Sequence, residues 1–354
     1  MYEQLAVRDN IEMLRQVLEF SNLLDMGIDA SKKHPEVCDL SEKAGIAHKE
    51  YIKVAWFGMG ASALIGEYIA NYLFYTNLCP KVIMNVYRDI PSKQILCMPY
   101  DVYIFYSYSG DTLETLEAFN ILSRKNPHKN SVLLALSLGG KLESMAKEKG
   151  VYHIKLPAGY TSRSHFPYGL AISFSILARI LGLEQEIQGL KDPKIRDYIT
   201  KLNSKESFQK LYELVMKVRD KIVIIAAERT LAAVARRFIA QLNENAKHFA
   251  TYFEIPEGAH NFIVGLRGLD RKKVFNIILR RNSEEPLMRR YLDVVTNKLA
   301  YIDSYIFMID DEKFSWRTLL IPTIFADVLS VFLADSKNLS TFDIEEISSI
   351  KSEL

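Results

Sequence analysis

Two kinds of hydrophobic pattern alternate along most of this chain. Short apolar runs that end near a glycine or serine are followed by longer stretches in which apolar residues recur every three or four positions. The first kind predicts buried strands, and the second predicts amphipathic helices. Because the strand patterns are continuous apolar runs separated by helices, we predict parallel sheets that are covered on both faces.

The alternation divides the chain into four segments. The N-terminal segment, 1–50, has helical spacing only and is interpreted as a helical lead-in. Strand and helix patterns alternate over 51–183, pause over a charged helical connector at 184–220, and resume over 221–354. The predicted fold class is therefore α/β, with two doubly wound parallel-sheet domains.

Composition and charge exclude several classes of protein. The 354 residues, 49% of them apolar, are enough for two domains with sizeable cores. A net charge of +2 disfavours nucleic acid or an anionic membrane as a partner.

The cysteines and the apolar stretches bear on the cellular setting. Three cysteines form neither a disulfide framework nor a metal-ligand spacing, which favours a reducing compartment and no bound metal. The N-terminus has no basic segment followed by an apolar run, and the apolar stretch 170–183 is short for a membrane span. We expect a soluble, cytoplasmic protein.

Two loops of the first domain have the composition of an anion site. Residues 58–62, Gly-Met-Gly-Ala-Ser, follow one strand pattern, and residues 107–112, Ser-Tyr-Ser-Gly-Asp-Thr, follow another. Each loop leads into a helix N-terminus, where free N–H groups and the helix dipole favour an anion. Glycines let the backbone approach a ligand closely, and hydroxyls add donors. The alternative is that these serines and threonines are ordinary helix caps.

We predict a phosphate-ester site at these loops. A third loop, 137–142, ends the next strand pattern and is a weaker candidate for the same crevice. The first loop lacks the third glycine of a GxGxxG fingerprint and no acidic residue ends the next strand, which disfavours a nicotinamide cofactor. We expect no cofactor. The predicted phosphate-binding residues are Gly60, Ser62, Ser107, Ser109 and Thr112.

The hydroxyl-rich loop, preceded by a glycine-rich turn, resembles the phosphosugar site of sugar isomerase (SIS) domains. Two such units in one chain, with loops 58–62 and 107–112 and the element Pro157-Ala158-Gly159, are similar to the phosphoglucose isomerase superfamily. The pattern resembles most the bifunctional phosphoglucose/phosphomannose isomerases. The resemblance implies that the loop hydroxyls bind a phosphosugar.

Two polar segments of the second half extend the resemblance. Residues 241–247, Gln-Leu-Asn-Glu-Asn-Ala-Lys, and residues 255–261, Ile-Pro-Glu-Gly-Ala-His-Asn, are similar to the family signature. Polar residues on an otherwise apolar helix indicate a lined cavity, with a solvated helix face as the alternative. Aldose–ketose isomerisation needs a carboxylate that moves a proton, a group that opens the sugar ring and a donor for the enediolate oxygens.

The resemblance implies a role for four side chains. Glu244 corresponds to the base that moves a proton between C1 and C2, and His260 to the acid that opens the ring. In the family this histidine comes from the partner subunit, so a homodimer is implied. Arg163 is suited to holding negative charge on the enediolate oxygens. Lys351, near the C-terminus, corresponds to a lysine that assists ring opening.

The expected activity is that of an intramolecular oxidoreductase. It would interconvert glucose 6-phosphate, mannose 6-phosphate or both with fructose 6-phosphate through a cis-enediol, as in glycolysis and gluconeogenesis. Two alternatives stay open: a phosphosugar-binding regulator without chemistry, and an aminosugar-phosphate isomerase or deaminase. The chain departs from the family pattern at Ala61, at Ser162 and over 333–341, which leaves open whether catalysis is retained. The accepted epimer is also open, because it depends on contacts to the C2 hydroxyl that the sequence does not assign.

Overall fold

The computed structural model describes residues 5–76, 81–89, 92, 98–125 and 130–353. The chain divides into two compact units, of which the first is Phe20–Lys191 and the second is made of the described residues of Met1–Glu19 and Asp192–Leu354. Each unit contains one parallel sheet, so the prediction of two parallel-sheet α/β units is confirmed.

The boundaries of these units differ from the expected segments. The expected lead-in 1–50 is split after Glu19, because helix α1 (Arg8–Leu18) packs within the second unit. The expected connector 184–220 is split after Lys191. Neither segment is therefore a separate body.

A five-stranded parallel sheet forms the centre of the first unit, with strand order β2-β1-β3-β4-β5. Its strands are β1 (Ile52–Phe57), β2 (Val82–Tyr87), β3 (Val102–Tyr106), β4 (Val132–Ser137) and β5 (Tyr152–Lys155). Its helices are α2 (Phe20–Ser31), α3 (Glu36–Lys43), α4 (Ala61–Tyr75), α5 (Leu113–Lys125), α6 (Gly140–Lys149) and α7 (Phe166–Leu181). All five residues of the central strand β3 are buried, which agrees with a parallel sheet covered on both faces.

The second unit is built on a four-stranded parallel sheet with strand order β7-β6-β8-β9. Its strands are β6 (Ile222–Glu228), β7 (Ala250–Ile255), β8 (Val274–Arg281) and β9 (Ser304–Ile309). Besides α1, its helices are α8 (Pro193–Leu202), α9 (Lys205–Val218), α10 (Ala232–Ala246), α11 (Phe262–Gly265), α12 (Pro286–Lys298), α13 (Trp316–Ser336) and α14 (Glu345–Glu353).

Strand β7 is a strand that the hydrophobic pattern did not predict. The periodicity predicts a helix over 230–249, but α10 ends at Ala246 and the chain enters β7 at Ala250. Lys247 makes the turn with a left-handed φ of 43°, a position that glycine usually occupies. The stop signal was therefore absent from the sequence.

Helix α13 is the core helix of the second unit. It has 21 residues, and an 18-residue window within it has a mean hydropathy of 1.7, so it is long and apolar enough to cross a membrane, a test that 170–183 does not meet. However, 89% of this apolar window is buried inside the protein, mostly against α10 and α1. We interpret α13 as a packing helix.

Candidate active site

The two predicted phosphate loops lie side by side at the carboxyl ends of neighbouring strands in the five-stranded sheet. They follow β1 and β3, the neighbouring strands at which the strand order changes direction. In open α/β sheets, ligands bind in the crevice outside the carboxyl ends of the strands at such a switch point. The fold therefore brings the predicted loops together where a ligand is expected.

The loop 107–112 presents hydroxyls that are held by short hydrogen bonds. The Ser107 and Thr112 hydroxyl oxygens lie 2.8 Å apart, and the Gly110 N–H donates to Ser107 Oγ at 3.1 Å. The Asp111 N–H donates to Ser109 Oγ at 3.2 Å. Ser107 is buried, Thr112 is half-buried and Ser109 is exposed, so the three hydroxyls span the depth of the crevice.

The third loop, 137–142, packs against the loop 107–112. Gly110 has a φ of 83°, and a Cβ at this position would lie 1.9 Å from the carbonyl oxygen of Gly139. The Lys141 N–H donates to Asp111 Oδ1 at 3.0 Å, and the Leu142 N–H donates to the Gly110 carbonyl at 2.9 Å. The third loop thus fixes the conformation of the hydroxyl loop.

The glycine-rich loop leaves open space at the start of α4. Gly60 precedes the helix with a φ of 52°, and a Cβ there would meet no atom within 4 Å. Gly58 lies close to β3, since a Cβ there would come within 3.1 Å of the Tyr106 carbonyl oxygen. The Ser62 side chain is buried in the first turn of α4, and Ala61 begins the helix. A ligand can therefore approach the backbone at Gly60.

Tyr108 connects the hydroxyl loop to the segment that carries Arg163. Its hydroxyl lies 3.0 Å from the carbonyl oxygen of Pro157 and 3.1 Å from that of Tyr160, and it donates to this pair. Arg163 follows three residues later and is buried, with 3% of its surface exposed, whereas Ser162 is exposed. The structure therefore places the Arg163 segment beside the predicted phosphate loops.

His165 is a site residue that the sequence reasoning missed. Its ring centroid lies 4.4 Å from that of Tyr108, and its Nδ1 lies 3.4 Å from the Tyr106 hydroxyl. Burial lowers the pKa of His165 to about 3, so the imidazole is neutral. Its Nε2 has no hydrogen-bond partner in the described part of the chain. The only signal in the sequence was its position two residues after Arg163.

The polar run 241–247 holds α10 to its neighbours. Gln241 Nε2 donates to Asp327 on α13 at 2.8 Å, and Asn245 Nδ2 donates to Ser330 at 2.8 Å. Asn243 Nδ2 donates to the Ala250 carbonyl at the start of β7, at 3.1 Å. Gln241 and Asn245 are buried in contacts between packed elements, so they neither line an open cavity nor form a solvated face, whereas Asn243 is exposed. Glu244 lies among them, half-buried.

A buried ion pair accompanies these amides. Arg237 Nη2 lies 2.7 Å from Asp327 Oδ2, and both side chains are almost completely buried. Burial raises the pKa of the Asp327 carboxyl, although Arg237 and Gln241 act in the opposite direction. The neighbourhood of α10 and α13 is therefore rigid and highly connected, which fixes the backbone that carries Glu244.

His260 and Lys351 are exposed. His260 ends a short 3-10 turn, Glu257–His260, and its Nε2 lies 3.2 Å from the Tyr291 hydroxyl. Lys351 lies in the last turn of α14. Both belong to the second unit with Glu244, whereas Arg163 and the phosphate loops belong to the first.

The segment 333–341, which departs from the family pattern, fastens helix α1. Asp335 Oδ1 accepts hydrogen bonds from the Val7 N–H at 2.9 Å and from Asn10 Nδ2 at 3.1 Å. The Thr341 N–H donates to Asn10 Oδ1 at 3.0 Å. These residues therefore have a structural function.

The four-stranded sheet has a switch point of its own, between β6 and β8, but charged side chains fill it. Glu228 ends β6 and pairs with Arg281, which ends β8. Arg281 also lies 3.5 Å from Asp311, which accepts a hydrogen bond from Thr318 at 2.9 Å. All four side chains are buried. The switch point of the four-stranded sheet is therefore occupied by charged side chains that are paired with one another. The switch point of the five-stranded sheet instead presents neutral hydrogen-bond donors.

The described residues contain no group of three or more His, Cys, Asp or Glu side chains arranged to hold a metal ion. Cys38 is exposed and not in a disulfide, and Cys79 and Cys97 lie outside the described residues.

Comparison with known proteins shows which proteins this chain resembles. Residues 209–354 match the family model of the bacterial phospho-glucose isomerase C-terminal SIS domain. A bifunctional phosphoglucose/phosphomannose isomerase of Aquifex aeolicus is 26% identical over 307 residues, which cover 86% of this chain and 91% of that protein. The chain is thus similar to bifunctional phosphoglucose/phosphomannose isomerases over most of its length. The resemblance expected from the loops is thus confirmed.

Other relatives of this chain have related names. A D-glucosamine-6-phosphate 4-epimerase of Sulfolobus acidocaldarius is 30% identical over 211 residues, and this match spans 60% of the chain and 63% of the epimerase. The crystal structure of tagatose-6-phosphate ketose/aldose isomerase from Escherichia coli has a TM-score of 0.70 at 14% identity, over 95% of this chain and 96% of that one. At this identity the structural likeness shows the fold alone.

Proposed function

We propose that this protein interconverts the aldose and ketose forms of a hexose 6-phosphate, taking glucose 6-phosphate, mannose 6-phosphate or both to fructose 6-phosphate. The observation that carries the proposal is the pair of loops, 58–62 and 107–112, at the switch point of the five-stranded sheet. Their neutral hydroxyl and N–H donors suit a phosphate ester. The names of the relatives agree with such a substrate.

The phosphate group would bind between the two loops. Ser62, Ser107 and Thr112 would donate hydroxyl hydrogens to the phosphate oxygens, and the exposed Ser109 would close the outer side. The N-terminus of α4 adds backbone N–H groups and the positive end of its dipole, and Gly60 leaves room for the phosphate. Binding energy at the phosphate then orients the sugar for chemistry several bonds away.

The chemistry would be a proton transfer between two adjacent carbons. Glu244 would remove the proton from C2 of the open-chain aldose, so that the electron pair forms a C1–C2 double bond and the carbonyl oxygen becomes an enediolate oxygen. Transfer of the hydroxyl proton from O2 to O1 and return of the carbon-bound proton to C1 then give the ketose, with a C2 carbonyl and a C1 hydroxyl. Arg163 would stabilise the negative oxygens with its guanidinium.

Ring opening would use His260 and Lys351. Both side chains are exposed, which agrees with residues that meet a substrate or a second subunit. By the family resemblance His260 would serve the active site of the partner chain, so we propose a homodimer. We further propose that the enzyme is cytoplasmic and acts in hexose phosphate metabolism.

A coupled assay tests the proposal. Fructose 6-phosphate is supplied, and the glucose 6-phosphate formed is followed through a dehydrogenase, with mannose 6-phosphate tested separately. Glu244→Gln should lower kcat by about 10²–10⁴-fold with unchanged binding of the hexose phosphate. Glu213→Gln, an exposed glutamate on α9, is the matched control. Full activity in Glu244→Gln would contradict the assignment of the base.

A second candidate is epimerisation of an aminosugar phosphate. The 30% identity to the Sulfolobus acidocaldarius D-glucosamine-6-phosphate 4-epimerase favours it. Incubation with glucosamine 6-phosphate, followed by proton NMR, would reveal the C4 epimer. Sugar-phosphate binding without turnover of either substrate would instead favour a regulatory protein.

A further inference from the structure

A histidine on the edge strand of the five-stranded sheet contacts the third loop, 137–142. His153 lies on β5, which pairs only with β4 in this sheet, and its ring is half-buried. Its Nε2 lies 2.8 Å from Oγ of Ser137, the residue that ends β4 and begins the third loop. His153 itself belongs to none of the three loops at the candidate site, so it is a second layer behind them.

The hydrogen bonds of Ser137 determine which atom is the donor in this contact. Ser137 Oγ also lies 2.8 Å from the carbonyl oxygen of Gly139, which can only accept a hydrogen bond. The single hydroxyl hydrogen of Ser137 therefore goes to Gly139. Both contacts carry a hydrogen only if His153 donates from Nε2, and we assign that tautomer from the network.

The surroundings of His153 favour a neutral ring. Burial lowers the pKa of this histidine, Glu143 acts in the opposite direction, and Lys147 and Lys155 lower the pKa further. Glu143 is itself paired with these lysines, since Lys147 Nζ lies 2.8 Å from its Oε1 and Lys155 Nζ lies 3.9 Å from its Oε2. At neutral pH His153 is therefore an uncharged donor to Ser137.

The carbonyl of Gly139 is the point at which the third loop meets the hydroxyl loop. A Cβ at Gly110 would lie 1.9 Å from this oxygen, so the two backbones are in direct contact. On either side of Gly139, the Leu138 N–H donates to the Tyr108 carbonyl at 2.8 Å and the Leu142 N–H donates to the Gly110 carbonyl at 2.9 Å. A displacement of Gly139 would therefore displace Gly110.

Gly110 in turn holds the hydroxyls proposed to bind the phosphate. Its N–H donates to Ser107 Oγ at 3.1 Å, and Ser107 Oγ lies 2.8 Å from Thr112 Oγ1. A continuous chain of contacts thus runs from His153 to these two hydroxyls. Hydrogen bonds weaken when their distances or angles change, so the affinity for a phosphate depends on how firmly this chain is held.

We propose that His153 is a positioning residue of the phosphate site. Through Ser137 it fixes the Gly139 carbonyl, and so keeps the hydroxyl loop in the conformation that receives a phosphate. The assignment rests on the proposed function, because it takes the hydroxyl loop as the binding site for the phosphate of a hexose 6-phosphate. Its effect is on binding, since the phosphate is held equally in the ground state and in the transition state.

Two substitutions of His153 distinguish a hydrogen-bond donor from a packing group. His153→Leu fills the space without a donor, whereas His153→Gln retains an N–H donor at about the position of Nε2. In His153→Leu, the Kd for fructose 6-phosphate from calorimetry and the KM in the coupled assay should rise about five- to tenfold, with kcat unchanged. In His153→Gln, both should stay within about twofold of the wild type. His48→Leu, at an exposed histidine of the same unit, is the control.

Ser137→Ala tests the same chain of contacts independently. It removes the middle hydroxyl with a small change in volume, so it also serves if His153→Leu does not fold, which circular dichroism checks. We expect the same rise in Kd as in His153→Leu. The double variant should bind no more weakly than either single variant, because both substitutions break one chain. Additive losses would show that the two residues act separately and would overturn the proposal.

Amide hydrogen exchange of the ligand-free protein examines the hydroxyl loop itself. Exchange over 107–112 should be faster in His153→Leu than in the wild type or in His153→Gln. A Kd that is unchanged in His153→Leu, or raised equally in His153→Gln, would overturn the positioning role. A wild type that binds fructose 6-phosphate without converting it would refute the isomerase activity but leave the comparison of Kd values intact. A wild type that binds no sugar phosphate would overturn both.

Discussion

The hydroxyl of Tyr108 lies 3.0 Å from the carbonyl oxygen of Pro157. This contact crosses from the loop that carries the predicted phosphate ligands to the segment that carries Arg163. It is therefore a direct mechanical link between the residues proposed to bind the phosphate and the residue proposed to stabilise the enediolate.

Removal of this hydroxyl should weaken the link without removing a catalytic group. In Tyr108→Phe we expect the free energy of unfolding to fall by about 1 kcal/mol, the usual net value of one hydrogen bond. The kcat for fructose 6-phosphate should fall severalfold because Arg163 is less well positioned. Tyr212→Phe, at an exposed tyrosine on α9, should change neither quantity. Equal effects of the two substitutions would contradict the positioning function.

The close approach of two loops at Gly110 gives a prediction about stability. In Gly110→Ala, the new Cβ would collide with the Gly139 carbonyl at 1.9 Å, in addition to the strain of a left-handed φ. Gly150→Ala is the matched control, since it also has a left-handed φ, of 65°, but open space around it. We expect a cost of about 1–2 kcal/mol for Gly150→Ala and a clearly larger one for Gly110→Ala, measured by urea unfolding. Equal costs would mean that the two loops do not touch.

His165 should make the stability of the protein depend on pH. Its folded pKa of about 3 lies below the ordinary value of 6.5, so the unfolded chain binds a proton more readily. Its contribution is present above pH 6.5 and is lost as the pH falls toward 3. Between pH 7 and pH 5 this amounts to about 2 kcal/mol.

The measurement compares the wild type with His165→Gln, which cannot titrate in this range. The free energy of unfolding is measured with denaturant at pH 7 and at pH 5. Its decrease between these pH values should be smaller in the variant than in the wild type by about 2 kcal/mol. His248, whose pKa burial and Lys337 lower to about 4, contributes a parallel loss that both proteins share. An identical pH dependence of the two proteins would show that His165 is not buried in its neutral form.

The ion pairs at the second switch point predict one phosphosugar per chain. Glu228, Arg281 and Asp311 occupy the position that a ligand takes in the first sheet. Titration calorimetry with a hexose 6-phosphate should therefore give a stoichiometry of one ligand per chain. A stoichiometry of two would contradict the conclusion that the ion pairs keep a ligand out of the second switch point.

The same network predicts the effect of removing its cation. Arg281→Met leaves two buried carboxylates without their partner and should lower the free energy of unfolding by about 3–5 kcal/mol. Arg289→Met, at an arginine side chain that is 53% exposed, should cost less than about 1 kcal/mol. Comparable losses in the two variants would mean that the network adds no stability.

Much of the fold could be predicted because the strands of parallel sheets are nearly continuous apolar runs. Strand β7 escaped because Lys247, a non-glycine residue, makes the left-handed turn after α10. The predicted helix therefore continued to Phe249, and the short strand sequence Ala-Thr-Tyr-Phe-Glu-Ile was left without a predicted element. Local periodicity cannot reveal a turn whose backbone is held by tertiary contacts.

The candidate site was predictable where chemistry depends on local sequence. The hydroxyls of 107–112 and the glycines of 58–62 lie in continuous loops, so their composition alone suggested an anion site. Gln241 and Asn245 were misinterpreted because their partners, Asp327 and Ser330, are more than 80 residues away. The burial of His165 likewise depends on tyrosines from several elements. A short sequence motif cannot predict these contacts.

The fastening of helix α1 by Asp335 and Thr341 has a consequence for biosynthesis. Asn10 leaves the ribosome early, but its partners are translated more than 300 residues later. The unit Phe20–Lys191 is continuous in sequence and can fold while translation proceeds. In the other unit, helix α1 cannot form its hydrogen bonds with Asp335 and Thr341 until almost the whole polypeptide has been synthesised. The order of synthesis therefore sets the order in which the two units fold.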